Sequence, residues 1–207
     1  ETWEHVNELF IYTQETAEKS IGRRHRYEFL EQIISRCQMV NGLLMTTLFR
    51  EHSHRFIKLG HLLERADMST RIIDVGAGAI LGRAETNQAI DPLLWGSMLK
   101  SLSAMSAYRH KIGPLVEPNA VVNFIFKEAR LPRTVYFCLT GILEELQPLS
   151  NNGDAIQIVE SALQKLTRFD AENMTLAQLH QFIDQLQISL NQLDDAINTA
   201  WFLPMQS

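Results

Sequence analysis

Apolar residues recur at intervals of three and four along almost every stretch of this chain, and period-two alternation is nearly absent. Such a chain buries its apolar surface as amphipathic helices, so the expected fold is all-α, a bundle of about seven to eight helices. Trp3, Val6, Phe10, Thr13 and Ala17 stripe a first helix that Ser20-Ile21-Gly22 stops. Arg23-Arg24-His25-Arg26 reads as a short basic loop, after which Phe29, Ile33, Cys37, Val40, Leu44 and Leu48 mark a long second helix. Gly42 costs that helix about 1 kcal/mol relative to Ala, which points to a close helix contact there. A third helix is expected from about Glu51 to Val75, with Gly76-Ala77-Gly78 as its C-terminal stop. The glycine run on to Gly82 reads as a linker, because it lacks the preceding strand and the Gly-Lys-Ser/Thr ending of a phosphate loop. Asp91-Pro92 starts a helix expected to reach about His110, and a short helix covers Ala120 to Glu128. Leu131-Pro132-Arg133 opens the next, whose apolar face is Val135, Leu139, Ile142, Leu143 and Leu146. Two amphipathic helices follow the loop from Pro148 to Gly153, the second begun by Thr175.

With 207 residues, 45% of them apolar, the chain can bury a sizeable core, and a single helical domain over residues 1–207 is expected. The balance of 19 Lys and Arg against 24 Asp and Glu gives a net charge of −5, which argues against nucleic acid as a partner. Residues 154–207 form a closing acidic helical pair. From residue 150 on there are seven acids and two bases, whereas the preceding part holds 17 of each. No apolar run approaches the roughly 20 residues that span a bilayer, so no membrane partner is expected. Cys37 and Cys138 are isolated and read as reduced core thiols of a cytoplasmic protein. The chain begins with Glu1 rather than Met, and is expected to be a fragment.

The third helix carries the most informative pattern. Phe56, Leu59, Leu63, Ala66, Thr70 and Ile73 share its core-facing side, while Gly60, Glu64, Asp67, Arg71 and Asp74 fall on one adjoining arc of roughly 80°. Read plainly, this arc is a flank of ion pairs, Asp67 with Arg71 and Arg71 with Asp74, each contributing about 0.2–0.5 kcal/mol. Read functionally, Glu64 and Arg71 line a polar cavity between helices, and Gly60 lets another group approach. Arg65 lies on the opposite face, turned to solvent or bridging to another helix. A helix beginning at Pro132 would also present free N–H groups beside Arg133 and Thr134, able to receive a phosphate, a carboxylate ligand, or Glu64 or Asp67 of the same chain. Tyr108-Arg109-His110 offers a further cation.

Metal and nucleophile patterns are poor. Glu51 and His54 make a single Glu-x-x-His pair, where a di-iron bundle needs two. No His-Glu-x-x-His, Cys-x-x-Cys or Gly-x-Ser-x-Gly occurs. Neither a metal nor another cofactor is expected, and His54 and His61 read as surface or inter-helix residues.

The run Leu59-Gly60, Leu63-Glu64-Arg65-Ala66-Asp67-Met68 and Arg71-Ile72-Ile73-Asp74 resembles the bacterial alpha-E domain family. Trp3-Glu4 with Asn7 looks like its Trp-x-x-x-Asn segment. Trp95 with Ser101 to Arg109 looks like its Trp-to-Tyr-Arg helix, and Leu131-Pro132-Arg133 looks like its Pro-Arg-Ser element. His61 stands where the family commonly has Arg, and Thr134 where it has Ser. Family members usually carry an additional N-terminal helical portion, and the resemblance implies that this chain lacks it. It also implies partnership with an ATP-grasp-type carboxylate–amine ligase or a transglutaminase-like protein. The expected function is a helical partner domain whose cleft holds an amino-acid or peptide group, bound by Glu64, Arg65, Asp67, Arg71, Arg109 and Arg133. The alternative is a non-catalytic scaffold or interaction module whose charged stripe is structural. Whether the domain carries out chemistry is left open.

Overall fold

A computed structural model describes residues 1–81 and 91–203. Among the described residues there are nine α-helices and no strand: α1 Thr2–Thr16, α2 Arg23–Thr47, α3 His52–Leu81, α4 Asp91–Ser101, α5 Met105–Lys111, α6 Pro118–Lys127, α7 Val135–Leu146, α8 Gly153–Arg168 and α9 Leu176–Ile197. The count exceeds the expected seven to eight because the helix expected over 91–110 is broken. Ser103 adopts a left-handed φ of 52°, and the Ala104 N–H reaches back to the Leu99 carbonyl at 2.7 Å, which closes α4 before α5 restarts. The chain forms two compact units, Glu1–Phe56 and Ile57–Ser207.

In the first unit the basic run is not a loop. Gly22 is extended and its carbonyl accepts from the His25 and Arg26 N–H groups, so Arg23 to Arg26 form the opening turn of α2. Tyr12 of α1 stacks on Phe29 of α2 with ring centroids 5.9 Å apart, and the Arg36 guanidinium sits 4.2 Å from the Tyr12 centroid. This pairing occupies a different side of α1 from the expected core stripe, and Trp3, Val6 and Phe10 are exposed. Gly42 meets nothing within 4 Å, so no close helix contact explains it. Cys37 is exposed, contrary to its reading as a core thiol.

In the second unit α3 buries Leu59, Leu62, Ala66, Thr70, Ile73 and Ala77. The helix does not stop at Gly76-Ala77-Gly78. A Cβ at Gly76 would collide with the Met98 sulfur of α4, so this glycine serves a close approach inside a continuous helix rather than a C-cap. The expected linker towards Gly82 lies outside the described residues. Trp95, Leu99, Tyr108, Phe126, Ile142 and Phe169 are central to the core. Tyr108 meets Phe124 edge-on at 5.5 Å, and Phe126 meets Phe169 edge-on at 5.0 Å.

The Leu131-Pro132-Arg133 element is a turn, not the first turn of a helix. The Thr134 N–H donates to the Leu131 carbonyl at 3.1 Å, and its hydroxyl lies 2.5 Å from the Glu128 carbonyl and 2.8 Å from that of Leu131. Thr134 is the N-cap of α7. The start expected for the last helix is found: Thr175 and Gln178 form a reciprocal capping box at the head of α9. Asp154, Glu160, Asp170, Glu172, Asp184, Asp194 and Asp195 of the closing segment are all exposed. Among the described residues, no helix is long and apolar enough to cross a membrane.

Candidate functional site

Within the second unit α3 and α9 run antiparallel, a direction fixed by their cross-links. The Asp74 carboxylate meets the His180 ring at 2.5 Å, and Gln187 donates to the Thr70 hydroxyl at 3.4 Å. Gly60, Leu63, Glu64 and Asp67 of α3 and Leu190, Asn191 and Asp194 of α9 line a cleft of about 260 Å³. Gly60 has no atom within 4 Å of where a Cβ would lie, so its missing side chain leaves room in the cleft.

The cleft is acidic. Three carboxylates, Glu64, Asp67 and Asp194, line it together with the Asn191 amide, and no base does. The Arg71 guanidinium holds Asp67 Oδ2 from outside at 2.6 Å. That bond and the charge of Asp67 raise the pKa of Arg71 above its ordinary value. The other carboxylate oxygen, Asp67 Oδ1, is buried with no hydrogen-bond partner among the described residues. A buried acceptor left unpaired costs roughly 1–3 kcal/mol. Three carboxylates with no lining base make the cleft suited to a cationic donor such as an ammonium group.

Four members of the expected arc on α3, Gly60, Glu64, Asp67 and Asp74, thus face α9, whereas Arg71, expected to line the cavity with Glu64, lies outside it beside α4, and the pairing differs at one end. Asp67 pairs with Arg71 as the spacing predicts, whereas Asp74 is taken by His180 instead of Arg71. Arg65 and Ser69 lie on another side of α3 and dock onto the turn before α7. Arg65 donates to the Pro132 carbonyl at 3.3 Å and Ser69 to the Arg133 carbonyl at 2.8 Å. This contact has the opposite polarity to the one expected, because donors of α3 meet carbonyl oxygens of the turn. The Arg133 side chain is exposed and does not line the cleft. Arg109 is exposed in the last turn of α5 and is likewise absent from the cleft lining.

Two groups of consequence escape a sequence reading. Glu128 is buried, bonded to Lys111 and, through its other oxygen, to the amide and guanidinium of Arg130 at 2.9 and 3.1 Å. The Lys111 bond, aided by the Arg130 amide and guanidinium, holds its carboxyl down at about 2 against the opposing effect of desolvation. Its carbonyl is the one Thr134 caps, so this ion pair fixes the turn on which Arg65 and Ser69 dock. The close Glu128-x-Arg130 spacing is the only local signal of it. His180 is the second group. Its bond to Asp74 raises its pKa, as do the charges of Asp74 and Asp184. The Asp74–His180 tie therefore contributes fully below the ordinary histidine pKa of 6.5 and fades as pH rises through the raised value. Melting curves of the wild type and His180→Gln should differ most on the acid side of the ordinary histidine value and converge in alkaline solution, once the pH has passed the raised value. Equal separation in acid and in alkaline solution would remove the tie.

Among the described residues, no group of three or more His, Cys, Asp or Glu could hold a metal ion. Burial pushes the Cys138 thiol up to about 11, which disfavours the thiolate a nucleophile needs.

The fold and cleft define a helical domain with an acidic groove between its longest helix and its last one. The chain belongs to the Alpha-E family, described as a predicted alpha-helical domain with a conserved ER motif, whose model matches residues 1–202. The one Glu-Arg pair in this sequence is Glu64-Arg65. No curated protein matches the chain, and no solved structure does.

Proposed function

We propose that this Alpha-E domain is the helical partner of an ATP-grasp-type peptide- or amide-ligating system, and that the α3–α9 cleft receives the ammonium end of an amino acid or peptide. The observation that carries the reading is a cleft lined, among the described residues, by three carboxylates, Glu64, Asp67 and Asp194, and by no Lys, Arg or His. Glu64 and Asp194 supply the remaining acceptors, Arg71 positions Asp67, and Gly60 keeps the groove open. The ligase partnership rests on the family resemblance, and the choice of ligand group rests on the charge of the cleft. Arg133 and Arg109 have no part in the site proposed. Titration with alaninamide and with N-acetyl-alaninamide tests the ligand class. Only the free amine should bind, and Gly60→Leu, which fills the groove without strain on the helix, should abolish binding while leaving the melting temperature no lower. Equal binding of the acetylated compound would reject an ammonium site.

The second reading is a non-catalytic scaffold. It is favoured by the engagement of Arg65 and Ser69 with the turn before α7, which makes half of the Glu-Arg pair a packing device.

A further inference from the structure

The first unit carries a feature that the cleft leaves unused. Among the described residues neither α1 nor α2 has a buried side chain, yet both carry long apolar rows on their exposed sides. On α1 the row is Trp3, Val6, Phe10 and Thr13, of which the first three are exposed. On α2 it is Tyr27, Leu30, Ile34 and Cys37, all exposed. Both rows advance by three, four and three residues, the spacing of a heptad seam. Each helix already meets its hairpin neighbour along a different side, where Tyr12 stacks on Phe29 and Arg36. One seam used and a second one free is what two helical hairpins need to close a four-helix bundle.

Charge identifies what fits the free seams. Between Thr2 and Thr16, α1 has Glu4, Glu8 and Glu15 and no Lys or Arg, whereas α2 opens with Arg23, Arg24 and Arg26 and has a fourth arginine, Arg36, on Tyr12 of its own hairpin, against Glu28 and Glu31. Two copies of the hairpin related by a two-fold axis place the acidic α1 of one against the basic α2 of the other, twice over. With Trp3 72%, Phe10 60%, Tyr27 77% and Ile34 57% exposed, the two rows present on the order of 800 Å² per copy, the area each partner gives to a stable interface. We propose that α1 and α2 form the dimer interface of this protein, with a second copy of the same hairpin as occupant.

Light scattering on the full chain over micromolar to submillimolar concentrations tests this. The expected mass is twice the 23.7 kDa of one chain, falling to one chain in Phe10→Glu with Ile34→Glu. Alkylation of Cys37 supplies a second reading that does not depend on how that variant folds. It should slow as wild-type concentration rises, with Cys138 silent throughout because it is buried. A monomer at every concentration overturns the proposal, and so does a dimer indifferent to both substitutions. Cys37 protected in a monomer would also overturn it, and would assign the seams to another segment of the same chain.

Discussion

Replacing Glu128 with Gln lowers the melting temperature at neutral pH by several degrees and flattens the acid limb of the stability curve. The carboxyl is held at about 2 instead of 4.5, chiefly by the Lys111 bond. A depression of that size corresponds to about 3 kcal/mol of stability at neutral pH. Lys111 and Arg130 are themselves well exposed, and solvent screening reduces this to about 2 kcal/mol, or roughly 4–8 °C for a unit of this length. The sign follows from the direction of the shift. The contribution is complete above pH 4.5 and disappears as pH falls towards 2, because the unfolded chain takes up the proton first. Thermal melts of the wild type and Glu128→Gln between pH 7 and pH 2.5 should therefore converge at the acid end. Curves separated by a constant amount would mean that Glu128 acts by shape and not by charge.

The second large effect separates the two halves of the Glu-Arg pair. Combining Arg65→Ala with Ser69→Ala removes both donors that α3 extends to the turn before α7. Ser69 is buried, so its loss strands the Arg133 carbonyl at a cost of about 1–3 kcal/mol, with about 0.5–1 kcal/mol more from Arg65. Amine affinity should be unchanged, since neither residue lines the cleft. Glu64→Gln should do the converse, weakening amine binding with little change in melting temperature because Glu64 is exposed. If both variants lower stability alike and neither alters binding, the pair is a packing device and the cleft has no ligand.

Periodicity made the all-α class legible, because a 3.6-residue repeat is the geometry of a helix with one apolar side. It also located the ionic arc of α3, and four of its members, Gly60, Glu64, Asp67 and Asp74, do face α9. The opposite wall was not legible. Asp194 and His180 lie more than a hundred residues away, and nothing local distinguishes Asp194 from the exposed acids around it. Glycine misled at Gly76, since a C-cap and a tight helix contact leave the same mark in sequence; only Met98 of α4 decides between them. The turn at Leu131-Pro132-Arg133 misled for a related reason. Proline favours a helix start, but Thr134 bonding back to Glu128 and Leu131 delays α7 until Val135. On α1 the apolar stripe marks the helix but not its burial, since Trp3, Val6 and Phe10 are exposed.

Calorimetric titration of alaninamide into wild type and Asp67→Asn puts the acidic cleft to its most direct test. Asparagine keeps the volume of the side chain but gives up its charge and turns one acceptor into a donor. The account predicts saturable one-to-one binding to the wild type and a loss of about tenfold or more in the variant, equivalent to at least about 1.4 kcal/mol. Equal affinity in the two proteins, or no heat of binding in either, would contradict it.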